Sequence, residues 1–278
     1  FDAIDNESIT PEARDAARAR TISMYENGAR YAANGMTRAL AEYDAAIIAG
    51  EWRKLPALLD DVIAADGCNL PGWILETTAP YGKADALMQT ALAMTECNPL
   101  SFSSWNVAAA SYVALGDADA AIDIALQGIE NVPHIRLYQQ LAFAYIAAGR
   151  FEDADAIIDR HIHLDTQALP LKLTVAAARG DIELTKTRLA DVLRLGDALV
   201  WPSVAAYATS GDRDATNNLA ARLDAQPNGH LMLMALVQIC RCGAPWDIEV
   251  TPTYAKLIDE ADFPWPPASP IEWPLKTW

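Results

Sequence analysis

Positive charge is scarce in this chain: 21 Lys and Arg residues stand against 37 Asp and Glu, which gives a formal net charge of −16 at pH 7. Proteins bind nucleic acids largely through Lys and Arg side chains that neutralise phosphates. The sparse face of Arg14, Arg18 and Arg20 is the only basic group, and it is typical of a solvated helix surface. We therefore expect no nucleic-acid partner, and an acidic surface favours neutral or basic partners.

Long apolar runs are also missing. A membrane-spanning helix needs about 18–20 apolar residues, whereas the longest candidate, Val107–Leu115, is about half that length and contains Ser111 and Tyr112. We therefore expect no segment of this chain to insert into a membrane. The sequence begins at Phe1 and not at Met. We expect a cut-out or processed piece, with any signal peptide or membrane anchor outside it.

None of the common catalytic or nucleotide-binding motifs occurs in the sequence: there is no G-x-x-x-x-G-K-[ST], G-x-G-x-x-G, H-E-x-x-H or G-x-S-x-G string. Adjacent carboxylates such as Asp60 and Asp61 are typical of solvated helix faces and do not mark an acid–base pair. His161 and His163 would point about 200° apart on a helix, so this pair indicates a helix terminus more than a metal site. We expect no catalytic residue, metal or cofactor, and hence a protein that is not an enzyme.

Glycines recur every 31 to 34 residues along most of the chain. A polar residue follows most of them. Glycine just past a helix end supplies the left-handed conformation that closes the helix, and an Asp beside it can cap the next one. Each glycine therefore predicts the turn between two antiparallel helices. The series is Gly50, Gly82, Gly116, Gly149, Gly180, Gly211 and Gly243.

The clearest unit of this repeat runs from Pro99 to Pro133. A large residue, a small residue and an aromatic one precede its glycine at helical spacing, so they share one helix face. Alanines follow the glycine, and a proline closes the second helix. The next unit repeats the pattern. The residues of both units are Trp105, Ala109, Tyr112, Gly116, Ala121, Tyr138, Ala142, Tyr145, Gly149 and Ala154.

At these positions the chain resembles the tetratricopeptide repeat family, and the resemblance extends roughly from Met36 to Ala261. It implies an all-α fold: a right-handed α-α superhelix of about seven helix pairs. We expect the solenoid to span residues 1–244, with an N-terminal capping helix over 11–33 that Asn34 and Gly35 stop. Residues 245–278 should form a C-terminal capping helix, over Thr253–Ala261, and an extended strap rich in Pro and Trp.

In the tetratricopeptide repeat family, the first helices of the pairs line a concave groove that holds a peptide or a helix. The resemblance places a mixed set of side chains there, with one Arg. Family members that clamp acidic tails need several Lys or Arg, and this chain departs from that pattern. An ordinary solvated surface explains the same residues equally well. The groove residues would be Asn106, Ala110, Arg136, Gln139, Phe143, Thr174 and Trp201.

The chain contains four cysteines, Cys68, Cys97, Cys240 and Cys242. Small buried residues in helices are the simplest interpretation. Cys68 and Cys97 fall near the ends of second helices in adjacent units, so a bridge between them is sterically feasible in an oxidising compartment. We expect either four free thiols or a single bridge between Cys68 and Cys97.

The Pro/Trp-rich end, which includes Trp265 and Trp273, is similar to the C-terminal regions of some bacterial multidomain signalling proteins. In those, a winged-helix or class III nucleotide-cyclase domain is joined to a tetratricopeptide array, often across a membrane. The sequence therefore favours a scaffold or sensor module that binds a peptide or protein, as part of a larger bacterial signalling protein. The alternative is a small-molecule sensory domain whose pocket the aromatic tail closes. We expect a periplasmic location for this part, with the cytoplasm as the alternative.

Overall fold

The computed structural model describes residues 10–65, 67–68, 82–195, 200–226, 229–240 and 244–263. These residues form fourteen α-helices and two short 3-10 helices, Trp52–Lys54 and Ile248–Val250, and no β-strand. The first seven α-helices are α1 (Pro11–Arg30), α2 (Gly35–Ala49), α3 (Leu55–Ala64), α4 (Ala84–Cys97), α5 (Phe102–Leu115), α6 (Ala118–Asn131) and α7 (Ile135–Ala147). The others are α8 (Phe151–His161), α9 (Asp165–Arg179), α10 (Ile182–Leu193), α11 (Val200–Ser210), α12 (Arg213–Asp224), α13 (Gly229–Cys240) and α14 (Pro252–Glu260). The protein is therefore all-α over the described ranges, as the sequence predicts.

Glycine follows the end of the helix at the turns where the structure describes that helix, as Gly50 does after α2 and Gly116 after α5. The six described glycines of the series all have a positive φ, between 68° and 86°, a conformation that is cheap only for glycine. The side chains of Asp117, Asp181 and Asp212 then each accept a hydrogen bond of 3.0 Å from a backbone amide three residues later, which caps α6, α10 and α12. Gly243 lies outside the described residues.

The N-terminal helix is shorter than predicted. The side chain of Thr10 accepts a hydrogen bond from the amide of Ala13 at 3.3 Å and caps α1, but the helix ends at Arg30 and not near residue 33. Asn34 does not stop α1. Its side chain accepts a hydrogen bond from the amide of Thr37 at 2.8 Å and thereby starts α2, because Asn is as effective at a helix N-terminus as at a turn.

Neighbouring helices pack against each other along the chain, and helices two apart also touch: α5 packs against α7, and α9 packs against α11. A hydrophobic core runs from Met36 near the start to Phe263 at the end of the described residues. Trp246 and Tyr254, which lie beyond residue 244, belong to this same core. Most of the helical elements therefore share one packed interior.

Trp105 is buried, and its indole Nε1 donates a hydrogen bond to the carbonyl of Pro99 at 2.8 Å. Gly128 permits the close approach of α6 to α5, because a Cβ at position 128 would lie only 2.8 Å from the Cβ of Trp105. The other predicted repeat residues that lie on helices are also packed. Ala109, Ala121, Ala142, Tyr145 and Ala154 are buried, and Tyr112 and Tyr138 are half-buried against the core.

Cys68 and Cys97 form a disulfide with their Cα atoms 5.5 Å apart. Both residues are exposed, and Cys68 lies beyond the end of α3. The interpretation of these two cysteines as small buried residues in helices is therefore wrong, and the alternative of a bridge between them is the one observed. The side chains of Cys240 and Cys242 lie outside the described part of the chain. An ion pair between Lys83 and Asp60 also joins α3 to the start of α4.

The last helix, α14, begins one residue earlier and ends one residue earlier than predicted, at Pro252 and Glu260. Asp247 lies in the segment that precedes α14 and binds this segment to α12. Its carboxylate accepts hydrogen bonds from Arg213 at 2.8 Å and from Asn217 at 2.7 Å. The predicted strap, with Trp265 and Trp273, lies outside the described residues.

The two ends of the helical array touch each other. The 3-10 helix Trp52–Lys54, which follows α2, packs against α14. Trp52 also meets His230 of α13, with 5.0 Å between the ring centroids. The chain of helix pairs therefore closes on itself, and its first unit lies beside its last ones.

Candidate functional site

The N-terminal ends of α5, α7 and α9 lie side by side. Phe102, the first residue of α5, stacks on His134, which directly precedes α7, with ring centroids 3.7 Å apart and planes 16° apart. The side-chain amide of Gln139 on α7 donates a hydrogen bond to the side-chain carbonyl of Gln167 on α9 at 3.5 Å. Contacts between the beginnings of three successive first helices show that these helices run in the same direction.

Two of these helices begin with a side-chain cap. Ser101 Oγ accepts a hydrogen bond from the amide of Ser104 at the start of α5, and His134 Nδ1 accepts one from the amide of Arg136 at 3.2 Å at the start of α7. His134 therefore both caps α7 and stacks on Phe102. Its ring is fixed by these two contacts, and it joins α5 to α7 at this edge.

Arg136, Gln139 and Gln167 form a hydrogen-bonded row across α7 and α9, which we call the polar strip. The guanidinium of Arg136 donates to the side-chain carbonyl of Gln139 at 3.3 Å, and Gln139 donates to Gln167. Arg136 is exposed, and the two glutamines are half-buried. None of the ion pairs among the described residues involves Arg136. The strip thus presents a positive charge and amide groups on an otherwise acidic protein.

The predicted groove residues do not all reach the surface. Arg136 is exposed, and Asn106, Gln139 and Phe143 are half-buried. The side chain of Trp201, on α11, lies outside what the structure describes. Ala110 and Thr174 are buried, with 7% and 4% of their surface exposed.

Thr174 satisfies its hydroxyl within its own helix, through a 2.8 Å hydrogen bond to the carbonyl of Pro170. Ala110 and Thr174 are covered because the first helices pack directly against each other, as α5 does with α7 and α9 with α11. The most accessible part of the predicted groove is therefore its edge at the start of α7, where Arg136 is exposed. Its floor is core.

The repeat pattern in the sequence does not point to Phe102, His134 or Gln167 at this edge. Gln139 and Gln167 are separated by 28 residues, which is shorter than the period of the glycines, so alignment of the repeats does not pair them. The prolines at 99 and 133 are the one available signal, because each stands shortly before a first helix and thus before Phe102 or His134.

His161 and His163 are separated by the end of a helix. His161 is the last residue of α8 and stacks on Tyr138, with centroids 4.1 Å apart and planes 6° apart. Burial lowers the pKa of His161, and the neighbouring Arg160 and His163 add to this effect. Nowhere in the described ranges do three or more His, Cys, Asp or Glu side chains come together in a way that could hold a metal ion.

No protein-family model matches the chain, and no curated protein shows significant similarity to it. None of the helices in the described part of the chain combines the length and hydrophobicity needed to cross a lipid bilayer.

Proposed function

We propose that this chain is a non-enzymatic binding module that holds a peptide or protein partner at the polar strip. The single observation that carries the proposal is the hydrogen-bonded row of Arg136, Gln139 and Gln167 on the ends of adjacent helices. Amide side chains can pair with the main chain of an extended peptide, and a guanidinium can bind a carboxylate with two parallel hydrogen bonds. The partner would thus be an extended segment that carries an acidic side chain or its own C-terminal carboxylate.

The helix arrangement supports the proposed tetratricopeptide-like scaffold. Left-handed glycines end the first helices, aspartates start several second helices, and first helices of successive pairs pack together. We propose that these pairs form a right-handed superhelix of about seven units. Repeat arrays of this kind expose long surfaces that suit extended partners.

The compartment is part of the same proposal. Disulfides persist in oxidising environments and are rare in the cytosol of mesophiles. The exposed bridge between Cys68 and Cys97 therefore supports an extracytoplasmic location such as the periplasm. Together with the similarity of the Pro/Trp-rich end, it supports a role as the sensor or scaffold part of a bacterial signalling protein.

The experiment is selection of binders from a display library of random extended peptides, followed by fluorescence anisotropy on the selected sequences. We expect enrichment of acidic residues, and we expect Arg136→Glu to weaken binding about 10- to 100-fold, because a charge-assisted hydrogen bond is lost and repulsion replaces it. Gln139→Ala should weaken it less. Arg20→Glu makes the same charge change on the exposed face of α1 and should leave affinity unchanged.

Equal losses in the Arg136 and Arg20 variants would mean that only net charge matters, and the site would be wrong. A small-molecule sensor is the competing function, and it would bind its ligand in a closed pocket and not at the exposed polar strip. A thermal-shift screen of metabolites separates the two. A metabolite that stabilises the protein by several degrees, in a chain that selects no peptide, would replace the peptide proposal.

A further inference from the structure

The two ends of the helical array meet at an aromatic pair, beside the contact of the 3-10 helix Trp52–Lys54 with α14. The rings of Trp52 and His230 lie edge to face, with centroids 5.0 Å apart and planes 68° apart. Trp52 retains 5% of its surface and His230 retains 4%. These residues are 178 positions apart in the sequence, so the contact is a direct measure of whether the array is closed.

His230 is buried without hydrogen bonds. Neither Nδ1 nor Nε2 has a partner among the described residues. A buried imidazole that lacks partners pays a desolvation cost while neutral, and a much larger one once it carries a charge. No described residue accepts a hydrogen bond from either ring nitrogen, so the second proton of an imidazolium would lack an acceptor among them.

The charged group that acts on His230 is Arg18 of α1, and it is positive. Its guanidinium is held in place, because Nε donates a 2.6 Å hydrogen bond to the carbonyl of Ile48. A Cβ on Gly50 would lie 3.8 Å from the Arg18 guanidinium and 3.6 Å from the Trp52 ring, so Arg18 and Trp52 flank the same glycine. The guanidinium therefore repels an imidazolium at position 230.

Nearby carboxylates have other partners. Glu51, beside Trp52, forms an ion pair with Lys54 at 2.7 Å. Asp224, at the end of α12, accepts hydrogen bonds from the amides of Thr253 and Tyr254.

The remaining charged groups of the packed elements are also engaged or solvated. Lys256 on α14 pairs with Glu260 at 3.7 Å, and Asp247 is bound by Arg213 of α12. Arg53 and Arg222 are exposed, as are the acids Asp214 of α12 and Asp259 of α14. Helix α11 contains no charged residue. No described acid therefore faces His230 to stabilise its protonated form.

We propose that Trp52 and His230 form an acid-sensitive latch, in which uptake of a proton by the His230 imidazole separates the 3-10 helix Trp52–Lys54 from α13 and opens the helical array at its ends. The helices themselves persist, because most of the helix-to-helix contacts lie between helices other than α13. No other reactant is needed, because the proton comes from water and the His230 imidazolium is solvated in the open array. The latch gives the closed array a direct response to acidification.

The direction of the pH effect follows from the two states. Burial, with a contribution from Arg18, lowers the pKa of His230 to about 4 in the closed array, whereas a solvated His in the open array has the ordinary value near 6.5. Between these values the open state binds more protons. The equilibrium constant for closure therefore has its full value well above pH 6.5. It falls by up to about tenfold per pH unit as the pH drops toward 4, and by about 300-fold in total.

Single-molecule FRET between dyes on the exposed Glu26 of α1 and the exposed Asn218 of α12 tests the latch. Nanomolar concentrations avoid precipitation near the isoelectric point of about 4.5. Between pH 7.5 and 4 we expect a shift to a low-transfer state with a midpoint between 6.5 and 4, while circular dichroism at 222 nm stays constant. The chain contains four histidines. In NMR, one imidazole signal should titrate with the same midpoint as the FRET change, and this signal should be missing from the His230 variants.

His230→Phe keeps an aromatic edge against Trp52 without a titrating group and should stay closed over the whole range, as should His230→Leu. Trp52→Ala should be open already at pH 7.5. His163→Phe is the matched control, because His163 is exposed, and it should open like the wild type. An unchanged FRET signal in the wild type, the same opening in His230→Phe and His230→Leu, or loss of helical signal together with the FRET change would each overturn the proposal.

Discussion

The carboxylate of Asp224 accepts a hydrogen bond from the backbone amide of Tyr254 at 2.8 Å, across 30 positions of sequence. The same carboxylate accepts a second one from the amide of Thr253, also at 2.8 Å. Since α14 begins at Pro252 and has no side-chain cap of its own, Asp224 on α12 caps it from outside. The beginning of the last described helix therefore depends on a residue of another helix.

We expect Asp224→Ala to lower the free energy of unfolding by about 2–3 kcal/mol, because one buried and one half-buried amide lose their carboxylate acceptor. Chemical denaturation followed by circular dichroism measures this value. Asp123→Ala, at an exposed position of α6, is the control and should change stability by less than about 0.5 kcal/mol. Equal effects of the two substitutions would show that the cap contributes nothing specific.

Local sequence features predicted the turns of this protein well, because a residue with positive φ and a residue that caps a helix leave a signature at one position. Gly116 with Asp117 is an example. The accessibility of Ala110 and Thr174 was not predictable in this way, since it depends on how closely first helices stack. The contact between Trp52 and His230 has no local signature either, because it arises only when the whole array has closed.

Trp105 and Gly128 provide a test of the packing within a helix pair. Trp105→Ala should lower the free energy of unfolding by about 3–5 kcal/mol, because a buried aromatic side chain is replaced by a cavity. Gly128→Ala should lower it by about 1–3 kcal/mol for the opposite reason, since the added methyl group would lie 2.8 Å from the Trp105 Cβ and push the helices apart.

The two substitutions should also compensate each other in part. In the Trp105→Ala background the 3.0 Å contact with the Trp105 Cγ is gone, and the Cβ that alanine keeps has vacated space to move into. Gly128→Ala should therefore cost less there than in the wild type, which a double-mutant cycle would reveal. Leu126→Ala, on the same helix but 40% exposed, is the control and should have little effect. Strict additivity at positions 105 and 128 would contradict the contact.

The disulfide closes a loop with a sequence separation of 29 residues. Cross-linking a loop of this size restricts the unfolded chain and should contribute roughly 3–4 kcal/mol to stability. We expect the double variant Cys68→Ser with Cys97→Ser to unfold at lower denaturant concentration by a corresponding amount. The wild type should approach the variant's stability when dithiothreitol is added, and the variant should not respond to it. A wild type that is insensitive to reduction would argue against the bridge.

Asp44, half-buried on α2, should make the protein less stable as the pH rises. Burial raises the pKa of its carboxyl group from 3.8 to about 7, so the folded protein holds a proton that the unfolded chain has already released over this range. The folded state is therefore favoured below pH 3.8 by this group, and the advantage is lost progressively as the pH rises through 7. Above pH 7 a charged carboxylate remains in a desolvated position.

Asp44→Asn removes this titration and should raise the free energy of unfolding at pH 8 by about 2 kcal/mol, a value reduced from the full shift because the side chain keeps some solvent contact. At pH 4 the variant and the wild type should be nearly equal. Glu42→Gln removes the same charge from an exposed position of the same helix and should leave stability nearly unchanged at both values. Burial also raises the pKa of Tyr25 on α1, to which Asp44 adds a smaller increase, so the tyrosine's ultraviolet titration should move to lower pH in Asp44→Asn. A stability difference between Asp44→Asn and the wild type that does not depend on pH would show that the carboxyl group is not buried at the interface of α1 and α2.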